Sequence, residues 1–206
     1  MTGPLFGASL PPVPPASLRR EWLPRAQQCH DKLRDLVPWE RHASEAHGTP
    51  MPRREVWYSS QARPYVYNGQ TYHPQPLQGD DEAAHILRWL LARVARAMVE
   101  AYGFEAAPNA VFLNLYGSGR DHIGWHADDV AVLGPPSRVV IGSLSLGARR
   151  RFLMRHNVSG HQVEWSLGDG DLLIMGPGSQ SDWKHKIAKT STSVQSRINL
   201  TFRRVF

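Results

Sequence analysis

Cysteine, long apolar runs and internal repeats are scarce or missing, and the first two of these shortages narrow what the protein is. Cys29 is the single cysteine, so no intramolecular disulfide framework exists, which fits a reducing compartment. An intracellular protein is expected, in the cytoplasm or, in a eukaryote, the nucleus. No uninterrupted apolar stretch is long enough to span a bilayer, and Met1 to Pro15 has no basic segment leading into an apolar run. No membrane attachment is expected. Acidic residues are in mild deficit, 18 against 24 Lys and Arg, for a net charge of +6. That excess attracts polyanions weakly and does not by itself identify a nucleic-acid binder. A length of 206 residues suits one well-buried domain, expected to act as a monomer.

What is present divides the chain into three parts. Residues 1–15 carry Pro4, Pro11, Pro12, Pro14 and Pro15, which favour extended backbone, and read as an irregular arm before one domain over 16–206. From Pro24, a plausible first helical residue, to Leu36, the spacing of Ala26, Cys29, Leu33 and Leu36 predicts a short amphipathic helix. Residues 39–79 look loop-rich, with Tyr65-Val66-Tyr67-Asn68-Gly69 as a short strand entering a turn. Asp80 to Gly103 is the clearest helix: Asp80 or Asp81 caps it, Ile86, Leu87, Leu90, Leu91, Val94 and Met98 form its stripe, and Gly103 ends it. After Pro108 come segments of strand length at 111–116, 139–146, 150–155, 161–167, 171–176, 184–188 and 197–206. Such a run without intervening helices predicts a mostly β barrel or jelly roll, braced by the N-terminal helices.

His126 and Asp128 are two residues apart, so on extended backbone both side chains leave one face, as two ligands of one metal must. His122 is a rival for the histidine. Two histidines and a carboxylate on one face of an octahedral ion leave three positions open, the pattern of iron(II) oxygenases and unlike closed structural zinc. A third ligand has to come from elsewhere. His185, in the polar segment before a strand, is the first candidate, with His156 and His161 behind it.

The segment Arg197-Ile198-Asn199-Leu200-Thr201-Phe202-Arg203 alternates strictly. Arg197, Asn199, Thr201 and Arg203 share one face, and Ile198, Leu200 and Phe202 the other. A second strand divides alike, with Asn114 and Tyr116 opposite Val111, Leu113 and Leu115. Inside a barrel, two arginines, neutral donors and a phenol suit a dicarboxylate, because guanidinium groups offer paired donors that match carboxylate geometry. 2-Oxoglutarate is such a ligand.

Taken in order, Asn114-Leu115-Tyr116, His126-Ala127-Asp128-Asp129, Ser143-Leu144-Ser145-Leu146-Gly147, His185 and Arg197 to Arg203 resemble the AlkB family of dioxygenases, most of all its duplex-DNA repair branch. The likeness extends more loosely back through Pro52-Arg53 and Tyr65 to Gly69. It implies a double-stranded β-helix over about 108–206 beneath a substrate-recognition lid over about 39–79. It implies iron ligation by His126, Asp128 and His185, and 2-oxoglutarate contacts from Asn114, Tyr116, Arg197, Asn199, Thr201 and Arg203, with Arg197 on the distal carboxylate.

By the same resemblance the chain is an oxidative demethylase of N-alkylated DNA bases of the 1-methyladenine and 3-methylcytosine type. It would consume O2 and 2-oxoglutarate at iron(II) and release an aldehyde. RNA is the alternative substrate, and a catalytically inactive nucleic-acid-binding module the alternative class. Flipping a base from a duplex needs a stacking pocket, for which Trp57, Tyr65 and Tyr67 are candidates, with Val66 beside them and Arg53 and Asp129 near the base. The chain departs from close relatives at Val130, where they carry an acid, and at 44–51, which holds no aromatic wedge. Arg149, Arg150, Arg151 and Arg155 form the densest basic cluster; alternation places Arg149, Arg151 and Arg155 on one strand face, which reads as a phosphate-binding edge.

Overall fold

The structure, a computed structural model, describes residues 10–43, 48–67 and 69–206. The arm expected at 1–15 is described only from residue 10, and most of the wedge-poor loop (44–47) and Asn68 also lie outside the described residues. The chain runs β1 (Ala16–Arg19), α1 (Ala26–Leu36), β2 (Arg54–Ser59), β3 (Tyr65–Tyr67), β4 (Gln70–Tyr72), β5 (Gln75–Pro76), α2 (Glu82–Tyr102), β6 (Ala110–Tyr116), β7 (Ile123–His126), β8 (Ile141–Gly147), β9 (Arg150–His156), β10 (Gln162–Leu167), β11 (Leu172–Met175), β12 (Trp183–Ile187) and β13 (Arg197–Arg203). A seven-stranded sheet in the order β1-β11-β8-β13-β6-β2-β5 faces a four-stranded sheet, β10-β9-β12-β7, and β3 and β4 form a separate hairpin. This is the jelly roll expected from the strand count.

Alternation along each strand of the larger sheet separates two cores. Outward residues, Leu113, Leu144, Leu146, Ile198, Leu200 and Phe202 among them, pack under Leu33 of α1 and Leu87, Leu90, Val94 and Met98 of α2. Inward residues such as Phe112, Ile141, Leu173 and Met175 meet Phe152, Met154 and Trp183 of the smaller sheet. Gly142 of β8 lets α2 approach closely, since a Cβ there would stand 2.7 Å from Val94 Cγ1 and 2.9 Å from Met98 Sδ. The Asp81 carboxylate accepts the Ala84 N–H at the start of α2 (2.9 Å), and Gly103 ends it at a φ of 83°.

Several expectations need correction. Helix α1 starts at Ala26, not Pro24, and buries Ala26, His30 and Leu33, while Leu36 is exposed. His30 is tolerated inside because Nε2 reaches Ser196 Oγ (3.0 Å) and Nδ1 reaches Asp31 Oδ1 (3.0 Å). The segment 39–79 is loop-rich as expected but also carries a full strand of the larger sheet: β2 pairs with β6 along its whole length, from Arg54 opposite Leu115 to Ser59 opposite Ala110. Strand β7 lies between segments expected as strands. The basic cluster divides as its alternation implies, with Arg150 apart from the other three. Arg150 is buried and donates to the Ser118, Asp121 and Ala188 carbonyls, and Arg151 pairs with Glu164 at 2.6 Å. Arg155 lies 4.5 Å from the Trp125 ring centre.

Candidate metal centre and active-site cavity

β12 and β7 pair antiparallel with His185 directly opposite His126, which sets their ring centres 4.2 Å apart. Asp128 follows two residues later, where β7 has ended. Its N–H donates to Gln180 Oε1 (2.8 Å), and the Gln180 amide donates in turn to Ser179 Oγ (2.9 Å), so a buried glutamine holds the loop that carries the carboxylate. The ligand atoms of His126, Asp128 and His185 all lie within 4.8 Å of one another, and among the described residues no other such group of three occurs. His122, His156 and His161 stand outside it.

The protonation states suit a metal. A carbonyl only accepts, so the 2.9 Å contact from His126 Nδ1 to Gly124 O puts the proton on Nδ1 and leaves the Nε2 lone pair free. Burial, assisted by the neighbouring His126, pushes the His185 imidazole down to about 3. Burial also lowers His126, so both rings are neutral near pH 7, as ligation requires. Burial opposes ionisation of Asp128, but nearby positive charge outweighs it, chiefly Arg203 with Nη2 3.3 Å from Oδ2, and holds the carboxyl below its usual range. His185 Nδ1 is buried without a hydrogen-bond partner.

β13 builds the adjoining wall. Register places Asn199 opposite Asn114 and Arg197 opposite Tyr116, so the two polar faces recognised in the sequence form one surface. Arg197 is fully buried. Its Nη2 donates to Ser145 Oγ (2.9 Å) and Asn199 Oδ1 (2.6 Å), and its guanidinium lies 5.4 Å from the Tyr116 ring centre. Burial lowers it to about 10, so it stays charged at neutral pH. Arg203 Nη1 donates to the Tyr65 hydroxyl (2.7 Å), and its Nη2 bonds Thr201 Oγ1. Nε and Nη1 of Arg197 and Nε of Arg203 have no partner. Buried, unpaired guanidinium donors are costly, and an anionic ligand with two carboxylates would satisfy them.

The cavity is lined by Arg53, Tyr65, Tyr67, Asn114, Tyr116, Asn199, Thr201 and Arg203 together with the three metal-capable residues. Arg197 sits behind this lining, under Tyr116. Tyr67 reaches to 6.1 Å from the His126 ring centre. Three residues expected near the base are not part of the cavity lining. Trp57 is buried behind Tyr65, ring centres 4.9 Å apart, with its N–H on the Arg63 carbonyl (3.3 Å). Val66 is half-exposed and Asp129 exposed. Sequence reasoning passed over Glu55, Gln180 and Phe152; of these only Glu55 left a signal, since it precedes the strand-like run Val56-Trp57-Tyr58 in alternation with Arg53.

A family model described as the 2OG-Fe(II) oxygenase superfamily matches residues 16–203. The chain belongs to that superfamily. Within it the curated relatives are AlkB-like. The chain is 34% identical over 191 residues to the mouse alpha-ketoglutarate-dependent dioxygenase alkB homolog 3, covering 87% of this chain and 60% of that protein. To the mouse DNA oxidative demethylase ALKBH2 it is 31% identical over 163 residues, covering 75% of this chain and 62% of that protein. The chain thus spans about three fifths of the length of these relatives.

Two solved structures share the fold at 16% identity. One is described as the structure of OsALKBH1 (TM-score 0.60, 95% of this chain and 100% of that one). The other is a Pseudomonas putida prolyl-4-hydroxylase (TM-score 0.55, 94% and 95%). Membership of the superfamily implies iron(II), 2-oxoglutarate and O2. The neutral histidine pair with its carboxylate and the unpaired arginine donors fit the metal and the dicarboxylate respectively. No helix among the described residues is long and apolar enough to cross a membrane.

Proposed function

We propose that the chain removes alkyl groups from ring nitrogens of damaged DNA bases by oxidative dealkylation. The observation that carries this reading is that a His126-Asp128-His185 group and Arg203, whose Nε is unpaired, meet in one cavity whose aromatic side is supplied by Tyr65 and Tyr67. Iron(II) and 2-oxoglutarate, once bound, would supply the oxidising chemistry: one atom of O2 would enter a C–H bond of the alkyl carbon and the other would enter succinate, with loss of carbon dioxide. The resulting carbinolamine breaks its C–N bond, releasing the aldehyde and the restored base.

The protein's residues have separate tasks. His126, Asp128 and His185 hold the metal, and Asp128 keeps Arg203 oriented through the 3.3 Å contact. Arg197 meets the distal carboxylate while Arg203, Asn114, Asn199, Thr201 and Tyr116 hold the rest of the co-substrate. Tyr67 stacks on the flipped base at the mouth, with Tyr65 and Arg53 behind it and Asp129 and Val66 on the rim; Trp57 supports Tyr65 from the core. On the outside of the smaller sheet, Arg155 and Lys186 flank the Trp125 ring at 4.5 and 4.4 Å, a cationic surface suited to a phosphate backbone.

Incubation with iron(II), ascorbate, 2-oxoglutarate and oligonucleotides carrying 1-methyladenine or 3-methylcytosine should release formaldehyde. Matched DNA and RNA strands, single and paired, rank the polymers. An absence of turnover on every strand would sink the proposal.

A further inference from the structure

Two carboxylates line the cavity among its described residues, Asp128 and Glu55. Asp128 belongs to the metal group. Glu55 lies on the inner face of β2 opposite Asn114, is 1% exposed, and has no part in the metal centre or the arginine wall. Its partners fix it firmly: Arg53 Nε donates to Oε1 (2.6 Å) and also to Asn114 Oδ1 (3.0 Å), and the Tyr72 hydroxyl donates to Oε2 (2.7 Å). A buried ion pair is weak evidence of a stability role, since apolar residues of like volume often serve a core as well or better. Its position on the wall of a ligand cavity asks for another use.

A carboxylate accepts hydrogen bonds and cannot donate them, with about four lone-pair positions on its two oxygens. Oε2, engaged by Tyr72 alone, retains acceptor capacity. We propose that Glu55 reads the exocyclic amino group of the alkylated base and so selects adenine- and cytosine-type lesions over bases that present a carbonyl at that position. This rests on the base-dealkylation reading above. In 1-methyladenine and 3-methylcytosine an amino group adjoins the alkylated ring nitrogen and donates to Glu55. In 3-methylthymine that neighbour is a carbonyl, which faces the carboxylate lone pair to lone pair. Arg53 and Tyr72 hold the acceptor in place before the base arrives, which keeps the cost of ordering it out of the binding step.

The test compares kcat/KM of the iron-loaded full chain on one single-stranded oligonucleotide carrying either 3-methylcytosine or 3-methylthymine, in the wild type, Glu55→Gln and Tyr72→Phe. The wild type should prefer 3-methylcytosine. Glu55→Gln, whose amide offers a donor where the carboxylate offered an acceptor, should cut that preference by about tenfold or more, mostly through loss on 3-methylcytosine, with the KM for 2-oxoglutarate unchanged. Tyr72→Phe should cut it less, because Oε2 stays but is no longer oriented. It also carries the test if Glu55→Gln does not fold.

Equal losses on both bases, or an unchanged preference, would overturn the role of Glu55. A wild type that converts neither base overturns the dealkylation reading and this inference with it. A wild type that converts both with a preference insensitive to either variant overturns this inference alone.

Discussion

The two faces of β13 are equally hidden from water and built for opposite ends. On the outer face Ile198, Leu200 and Phe202 are each 0% exposed; on the inner face Arg197 is also 0% and Arg203 2% exposed. The outer face meets hydrocarbon from two helices, so its burial is favourable throughout. The inner face buries two guanidinium groups and leaves three of their nitrogens without partners, which no gain in stability explains. One strand thus stabilises the fold along one face and gives up stability along the other, and the second face is where an anionic ligand would satisfy the unpaired donors.

The largest break in this comparison comes from the inner side. Asp128→Ala removes a metal ligand and the partner of Arg203, and should abolish formaldehyde release and iron binding by titration while the thermal transition remains cooperative. Activity above about a thousandth of wild type would argue against Asp128 as a ligand. On the outer side, Leu200→Ala should cost about 2–5 kcal/mol in denaturant unfolding, with the KM for 2-oxoglutarate unmoved in the protein that stays folded. A smaller effect follows for Arg197→Met, which keeps the bulk and discards the charge. Stability should stay level or rise, whereas the KM for 2-oxoglutarate should rise about tenfold or more, worth about 1.4 kcal/mol. If Arg197→Met unfolds the protein as Leu200→Ala does, the contrast between the faces fails.

This division was legible in the sequence because period-two alternation is a strong local signal: Arg197 to Arg203 and Val111 to Tyr116 each sort cleanly into an apolar and a polar set. The α2 helix was equally plain, from the Asp81 cap to Gly103. The strands β2 and β7 were not. Five of the six residues of β2 are buried on both faces, so Val56-Trp57-Tyr58 shows no alternation, and Arg54 and Glu55 beside it look like loop. β7 is four residues long and contains Gly124.

Alternation already set Arg150 on the face opposite Arg149, Arg151 and Arg155, and β9 buries Arg150 while exposing Arg151; what the string did not show is that Arg150 goes on to bond three carbonyls of the neighbouring loops. His126 and Asp128 could be recognised as a chelating pair, but what brings His185 to them is the β7–β12 register, a contact across 59 positions of sequence. The positions of Trp57 and Glu55 on β2 likewise depend on which strand lies beside it.

A buried polar group that has all its partners offers the last and mildest contrast with the inner face of β13. Asp171 is 1% exposed and accepts the Gly168 N–H (2.9 Å), the Glu21 N–H (2.9 Å) and Arg20 Nη1 (2.7 Å), tying the segment after β1 to the start of β11. Burial alone would raise its pKa, but these donors prevail and hold it below the usual aspartate range. A carboxyl depressed in the folded state contributes stability that is fully present above its unfolded pKa, near 3.9, and lost as pH falls through the folded value. Asp171→Asn should therefore lower stability near pH 7 by about 1–3 kcal/mol, and the gap from wild type should close as unfolding is followed from pH 5 downward. It should not alter the KM for 2-oxoglutarate. A gap that persists at pH 2 would mean that Asp171 acts through shape rather than charge, and the distinction between a satisfied buried carboxylate and the unsatisfied arginines of β13 would lose its electrostatic basis.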